Sequence, residues 1–573
     1  MLLGRGFMPT LLKKKLRLCT VVFSGFAVLM VSSLANSTTL TFEPIAFDGD
    51  PAPGTGTTFS LPSFSGNLNN QGEILFQSRL NVPPSLTFEI DDEAIFSSTG
   101  GTLSLVARLG DAAPGAGEGA TFGFLGRPPS LNDQGDIVFG ANLRGTGVTR
   151  GNNDAVFSDV GGSLSPVIRE GEAAPGAGEG VLFGTILDLP LNNQGEIAFT
   201  SIFLTGTGVT RGNDNAVFSD VGGSLSLVAR EGEAAPSAGE GVMFGAIFDP
   251  QLNNQGEIAF TSNVLTGTGV TRGNDDAVFS GVGGSLSLVA REGDAAPGAG
   301  EGVALGDFLG SPVLNDQGEI AFRTFLTGTG VTDGNNVATF SDVGGSLSLV
   351  AREGDPVPGV GEGETLEFFL DELSINDQGE VVFLAEILSA APMDGGGMGM
   401  EGGMGMGPPT SDLGIFSNEE GALSLVARTG DAAPGAGDGV IFNFFDALAL
   451  NDQGDIVFGA NLTGTGVTDA NDRAIFGESD GMFSILVREG DIIDLGDGDL
   501  ATIIFLNLGR NAFNDLGQIA FFADLSDGRQ GILLGSPDGI VLAPVPLPAA
   551  LPLMASGLLG LVAIARRRKS AQA

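Results

Sequence analysis

The 573-residue chain contains no His, no Trp and no Tyr, and a single Cys, Cys19. Without His there is no imidazole relay for nucleophilic catalysis, no His general base and no His metal ligand. With one Cys there is no disulfide framework within the chain and no structural zinc site. Positive charge is scarce as well: 26 Lys and Arg face 69 Asp and Glu, a formal net charge of −43. A surface of that sign repels nucleic-acid phosphates, which excludes nucleic acid as a partner. Hydrophobic residues make up 42% of the chain and 40 of them are Phe, enough for a sizeable core. These absences argue against catalysis, and no catalytic residue and no organic cofactor is assigned.

The two ends have a different composition from the rest. Residues 1–36 read as a secretory signal peptide: Lys13, Lys14, Lys15 and Arg17 precede an apolar run to about Val31, and small residues follow at Ser32–Asn36. At the other end, 544–573, Val545-Pro546-Leu547-Pro548-Ala549 opens an apolar stretch reaching Ala565, and Arg566, Arg567, Arg568 and Lys569 close it. Nineteen residues of helix from Leu547 would rise about 28 Å, just long enough to span a bilayer core. The basic cluster would stay on the cytoplasmic side. This three-part tail resembles the PEP-CTERM sorting signal of Gram-negative bacteria in its VPLPA form, with Leu547 where the best-known form has Glu. The resemblance implies an exosortase-type processing enzyme as partner, membrane contact through the C-terminal segment, and a final location at the cell surface or in the extracellular matrix. Both ends are basic and free of acids, so residues 37–543 hold every acidic residue, no Lys, and a net charge of about −52.

Between the ends the sequence repeats eight times at about 62 residues. The marker is Asn-x-x-Gly-x-x-x-Phe, with its Asn and Gly at Asn69 and Gly72, Asn132 and Gly135, Asn192 and Gly195, Asn253 and Gly256, Asn315 and Gly318, Asn376 and Gly379, Asn451 and Gly454, and Asn514 and Gly517. Asn bonding its own backbone and Gly supplying positive φ make this a tight structural turn. After each turn come short runs of alternating apolar residues, a Gly/Thr/Asn loop, and a Gly-Gly hairpin, which read as four strands per unit. The predicted fold is all-β, most simply an eight-bladed β-propeller. An open β-solenoid or bead array is the alternative. Closure is favoured because the body opens on a strand of one type, from Leu40, and ends on its hairpin partner, from Gly531. The body resembles the exported bacterial proteins built from NxxGxxAF tandem repeats, best at Phe199, Phe260, Phe322 and Phe521. That resemblance implies an extracellular repeat protein and assigns no activity.

Few residues stand out as chemistry. The recurrent Gly-Thr-Gly-Val-Thr loop gathers oxygen ligands, most densely in the unit that starts at Asn253, at Asn274, Asp275 and Asp276, a candidate Ca²⁺ loop. It matches no standard calcium motif, and a solvated Gly/Asx loop is the favoured alternative. An acid follows the turn Gly in seven units, and an Arg recurs from Arg108 to Arg488 at the end of another strand; pairing between the two rings is open. The insert at 392–409 carries Met398, Met400, Met404 and Met406 in a Gly-rich stretch, which suits a flexible loop tip. Glu364, Glu367, Asp371 and Glu372 are unusual acids in one unit, the only candidates for a carboxylate-dependent glycan-cleaving site. The primary reading is a non-enzymatic surface or matrix scaffold that contacts extracellular polysaccharide or surface proteins. Glycan cleavage on a propeller is the alternative.

Overall fold

The computed structural model describes residues 40–63, 67–81, 93–126, 128–282, 285–361, 363–388, 412–479 and 482–537. The signal peptide, the sorting signal and the Met/Gly insert therefore lie outside the described residues. Among the described residues no helix is long and apolar enough to cross a membrane.

Alternating apolar residues dictate strands, and the strands assemble into eight antiparallel four-stranded blades. We number the blades 1–8 by their Asn-x-x-Gly turns. In blade 5, Val303–Leu314 pairs with Ile320–Gly328, which pairs with Val337–Ser341, which pairs with Ser348–Arg352. The first of these strands comes from the end of the preceding sequence unit, so blades and sequence repeats are offset by one strand. That strand continues to Leu314, because the chain stays extended until it enters the next Asn turn.

The blades pack face to face on apolar layers. Ala259, Val278 and Ala290 of blade 4 share one core with Val303, Leu305, Phe308, Ile320, Phe322 and Phe340 of blade 5. Phe residues recur as triads such as Phe244, Phe260 and Phe279, with centroids 4.9–6.0 Å apart. Such packing is favourable beyond area burial alone.

The ring closes on itself, which excludes the open array. Leu40–Phe47 is the outermost strand of blade 8, paired antiparallel with Gln530–Pro537 from Leu40↔Pro537 to Phe47↔Gly531. Blade 8 also shares a core with blade 1: Ala520, Ile532 and Leu534 pack with Phe59, Phe76 and Phe96. The expected meeting of the two ends of the repeat body within one blade is what the register shows.

Candidate functional site

The eight Asn-x-x-Gly turns converge on the axis, and each turn is locked in the same way. The Asn Oδ1 accepts from the backbone N–H groups two and four residues on, as Asn315 does from Gln317 (3.0 Å) and Glu319 (2.8 Å). The turn Gly residues all have φ between 74° and 85°, a region costly for any residue with a Cβ. Each Asn Nδ2 then donates to the backbone carbonyl of the Asn in the next blade. The series runs Asn69, Asn132, Asn192, Asn253, Asn315, Asn376, Asn451, Asn514 and back to Asn69, at 2.8–3.4 Å. All eight Asn are buried.

A second ring lies against the first, made by the residue after each Asn. Its members are Asn70, Asp133, Asn193, Asn254, Asp316, Asp377, Asp452 and Asp515. Every backbone N–H of this ring donates to the side-chain Oδ1 of the next member, at 2.7–3.1 Å, and the ring closes from Asp515 to Asn70. All of these except Asp377, together with Leu68, Leu131, Leu191, Leu252, Leu314 and Leu450, line an axial cavity of about 330 Å³. Four consecutive members, Asp316, Asp377, Asp452 and Asp515, are carboxylates, and no Lys or Arg is a member of the ring. Burial, reinforced by the charges of Asp377, Asp515 and Asp316, pushes Asp452 up to about 6. Asp377 is raised for the same reasons.

The two expected rings of opposite charge do not pair; they serve opposite ends of the blade. The acid after the turn Gly accepts from its own Asn, as in Asn69 to Glu73 (2.9 Å) and Asn315 to Glu319 (3.0 Å). The recurrent Arg instead clamps two loops at the far end. Arg352 donates through Nε to Asn335 O and through Nη1 to Ala299 O, and Arg169, Arg291 and Arg488 repeat the pattern.

At that far end the candidate calcium loop is locked from within. Asn274 Oδ1 accepts from Thr271 N (2.6 Å) and Thr271 Oγ1 (3.2 Å), and its Nδ2 donates to Gly269 O. The Thr–Asn lock recurs at Thr149–Asn152, Thr210–Asn213, Thr332–Asn335 and Thr468–Asn471. Asp276 Oδ1 accepts from Val264 N, and Asp275 N donates to Glu292 Oε2. Burial and the Asp275 carboxyl raise Glu292 to about 7. Among the described residues no three acidic side chains converge as a metal site.

The unusual acids of blade 6 are strung along one strand. Glu364 immediately precedes Thr365–Ile375, which carries Glu367 and Glu372; the side chain of Asp371 lies outside the described residues. At about 3.3 Å per residue, Glu364 and Glu372 are roughly 25 Å apart and Glu367 and Glu372 roughly 16 Å apart. A glycosidase pair needs about 5–9.5 Å. Glu364 is in any case held by Arg428, which also binds Asp412.

One carboxyl pair went unnoticed in the sequence. Asp188, just after the strand Thr185–Leu187 of blade 3, and Asp249, in Ala246–Leu252 of blade 4, lie in contact, with Asp249 N 3.3 Å from Asp188 Oδ2. Ser311 of blade 5 donates to Asp249. Burial and the Asp249 charge push Asp188 up to about 6. The available signal was positional: both residues stand four places before their Asn.

No curated protein matches the chain. Among solved structures, polysaccharide lyase Uly1 is similar at a TM-score of 0.33 and 11% identity, over 75% of this chain and 91% of that one. The β-propeller domain of the Trilobed protease from Pyrococcus furiosus gives 0.32 and 9%, over 76% and 100%. The α-L-arabinofuranosidase Arb93A from Fusarium graminearum gives 0.24 and 12%, over 61% and 93%. Residues 30–401 and 400–537 match the model described as "Family of unknown function (DUF7453)", so the chain belongs to that family.

Proposed function

We propose that this protein is a non-enzymatic, exported scaffold of the cell surface or extracellular matrix, whose acidic propeller contacts exopolysaccharide or surface proteins. One observation supports this above the others. The residues that recur eight times, and would be the obvious carriers of chemistry, are consumed in holding the ring together. What remains for partners is a rigid disk with carboxylates spread over all blades. Export rests on residues 1–36, and sorting by an exosortase-type enzyme on Pro546, Leu547, Pro548 and the cluster Arg566, Arg567 and Arg568. Ca²⁺ is the natural bridging ion between such carboxylates and an anionic glycan.

The test is co-sedimentation of the propeller with exopolysaccharide extracted from the producing cells, with and without millimolar Ca²⁺, while reducing ends are assayed in the same tubes. The scaffold reading expects Ca²⁺-enhanced pelleting and no new reducing ends. New reducing ends would replace it with the glycan-cleaving reading. Absence of binding under both conditions would remove polysaccharide as the partner.

A further inference from the structure

At the end of the blades away from the axial rings, several units pair a loop residue with a Glu seventeen places later. In blade 5 the pair is Asn336 and Glu353. Glu353 Oε2 accepts from the backbone N–H groups of Asn336 (3.1 Å) and Val337 (3.0 Å). With its amide oriented to satisfy both of its ends, Asn336 also donates to that carboxylate at 2.9 Å. This clasp is amide to carboxylate, and needs no proton beyond those the amide carries.

Blade 7 builds the same clasp with a carboxyl in place of the amide. The residues are Asp472 and Glu489. Glu489 is 3% exposed, and its Oε2 accepts from Arg473 N at 3.3 Å. Glu489 thus takes the place that Glu353 holds in blade 5, and Asp472 that of Asn336; a direct bond between two carboxyls there requires that one of them carry a proton. The charged groups around the pair do not replace the proton. From the loop side, the Arg473 guanidinium is taken by Asp446 and lies over the Phe505 ring. On the Glu489 strand, Arg488 is turned to Asn471 O and Ala436 O, and Asp491 accepts from Arg488 N.

We propose that Asp472 and Glu489 form a proton-held clasp that closes the blade 7 loop below neutrality and releases it above, whereas the amide clasp of blade 5 holds throughout. Burial and the Asp472 carboxyl push Glu489 up to about 7, which sets where the release falls. A group raised in the folded state stabilises fully below its unfolded value, and that contribution is lost as pH climbs through the folded one. The amides that report on the loop are Leu462, which donates to Asp472 O, together with Asn471 and Arg473; Leu326 donating to Asn336 O is the blade 5 equivalent.

The experiment is hydrogen exchange by mass spectrometry on the whole protein at pH 6, 7 and 8.5, corrected for the chemical exchange rate, following peptides over 462–473 and 326–337. Protection of the blade 7 loop should fall about tenfold or more relative to blade 5 between pH 6 and 8.5. Asp472→Asn should abolish that fall, and Asn336→Asp should confer it on blade 5. Equal pH dependence of the two loops in the native protein would overturn the proposal. So would a fall in blade 7 that persists in Asp472→Asn, or a folded Asn336→Asp whose loop stays indifferent to pH.

Discussion

The two ends of each blade solve different problems. At the axial end eight turns meet, and each must bond to its neighbour with little room; the same Asn-x-x-Gly answer recurs in every blade. At the loop end the Thr–Asn lock and the Arg clamp recur in several blades, but the residues set against the loop vary. Blade 5 clasps its loop with Asn336, blade 4 sets Asp275 beside Glu292, and blade 6 replaces the pattern with Arg428 between Glu364 and Asp412. Uniformity at one end is imposed by ring closure, and variation at the other is where blades acquire individual character.

The strongest way to break this contrast is to remove closure itself. A chain lacking Leu40–Phe47 loses the outer strand of blade 8, the burial of Leu40, Ala46 and Phe47, and one full ladder of pairing. At about 1.5–3 kcal/mol per large buried side chain, the loss is expected to reach about 5 kcal/mol or more. Denaturant unfolding and limited proteolysis would read it. A variant as stable as the full chain would mean that the axial rings alone hold the propeller closed.

Next in size is the Asn ring. Asn315→Ala removes two accepted and two donated bonds at a buried site, leaving carbonyl and N–H groups of two blades unpaired. Each orphaned buried group costs about 1–3 kcal/mol, so about 3 kcal/mol in all is a fair expectation. Asn335→Ala, the loop counterpart, breaks the exposed Thr332 lock and should cost no more than about 1 kcal/mol. Equal costs would erase the distinction between the two ends.

Much of this was legible in the sequence because a repeat displays its own constraints eight times over. The strands, the turns and the closing strand from Leu40 follow from periodicity and from the matching ends. The rings themselves were not legible. A turn motif specifies bonds within itself, whereas the bond from Asn315 Nδ2 to Asn376 O exists only because eight blades bring successive turns to contact distance. For the same reason the acids of Glu364–Glu372 looked like a cluster: adjacency in a strand is separation in space, at about 3.3 Å per residue. Asp188 and Asp249, 61 residues apart, are the reverse case.

A pH-dependent effect is expected at the second axial ring, where uniformity is incomplete. Three of its eight members are Asn and five are Asp, yet all eight accept the same backbone N–H through Oδ1. The amide therefore suffices for the geometry, and charge at the other positions is an electrostatic burden. Asp452, raised to about 6 from its ordinary value of 3.8, binds its proton more tightly in the folded state. Its stabilising contribution is complete below about pH 4 and is lost as pH rises through about 6. Asp452→Asn keeps the bond to Asp377 N and removes that titration. The variant should match the native protein near pH 4 and exceed it by about 1–2 kcal/mol near pH 8, a figure reduced for the solvent that reaches the ring. Thermal melts across that range would show it as a flatter profile. If the native protein is instead the more stable of the two at pH 8, the carboxylates of the ring are held by something that compensates their charge, and the axial end carries a function beyond closure.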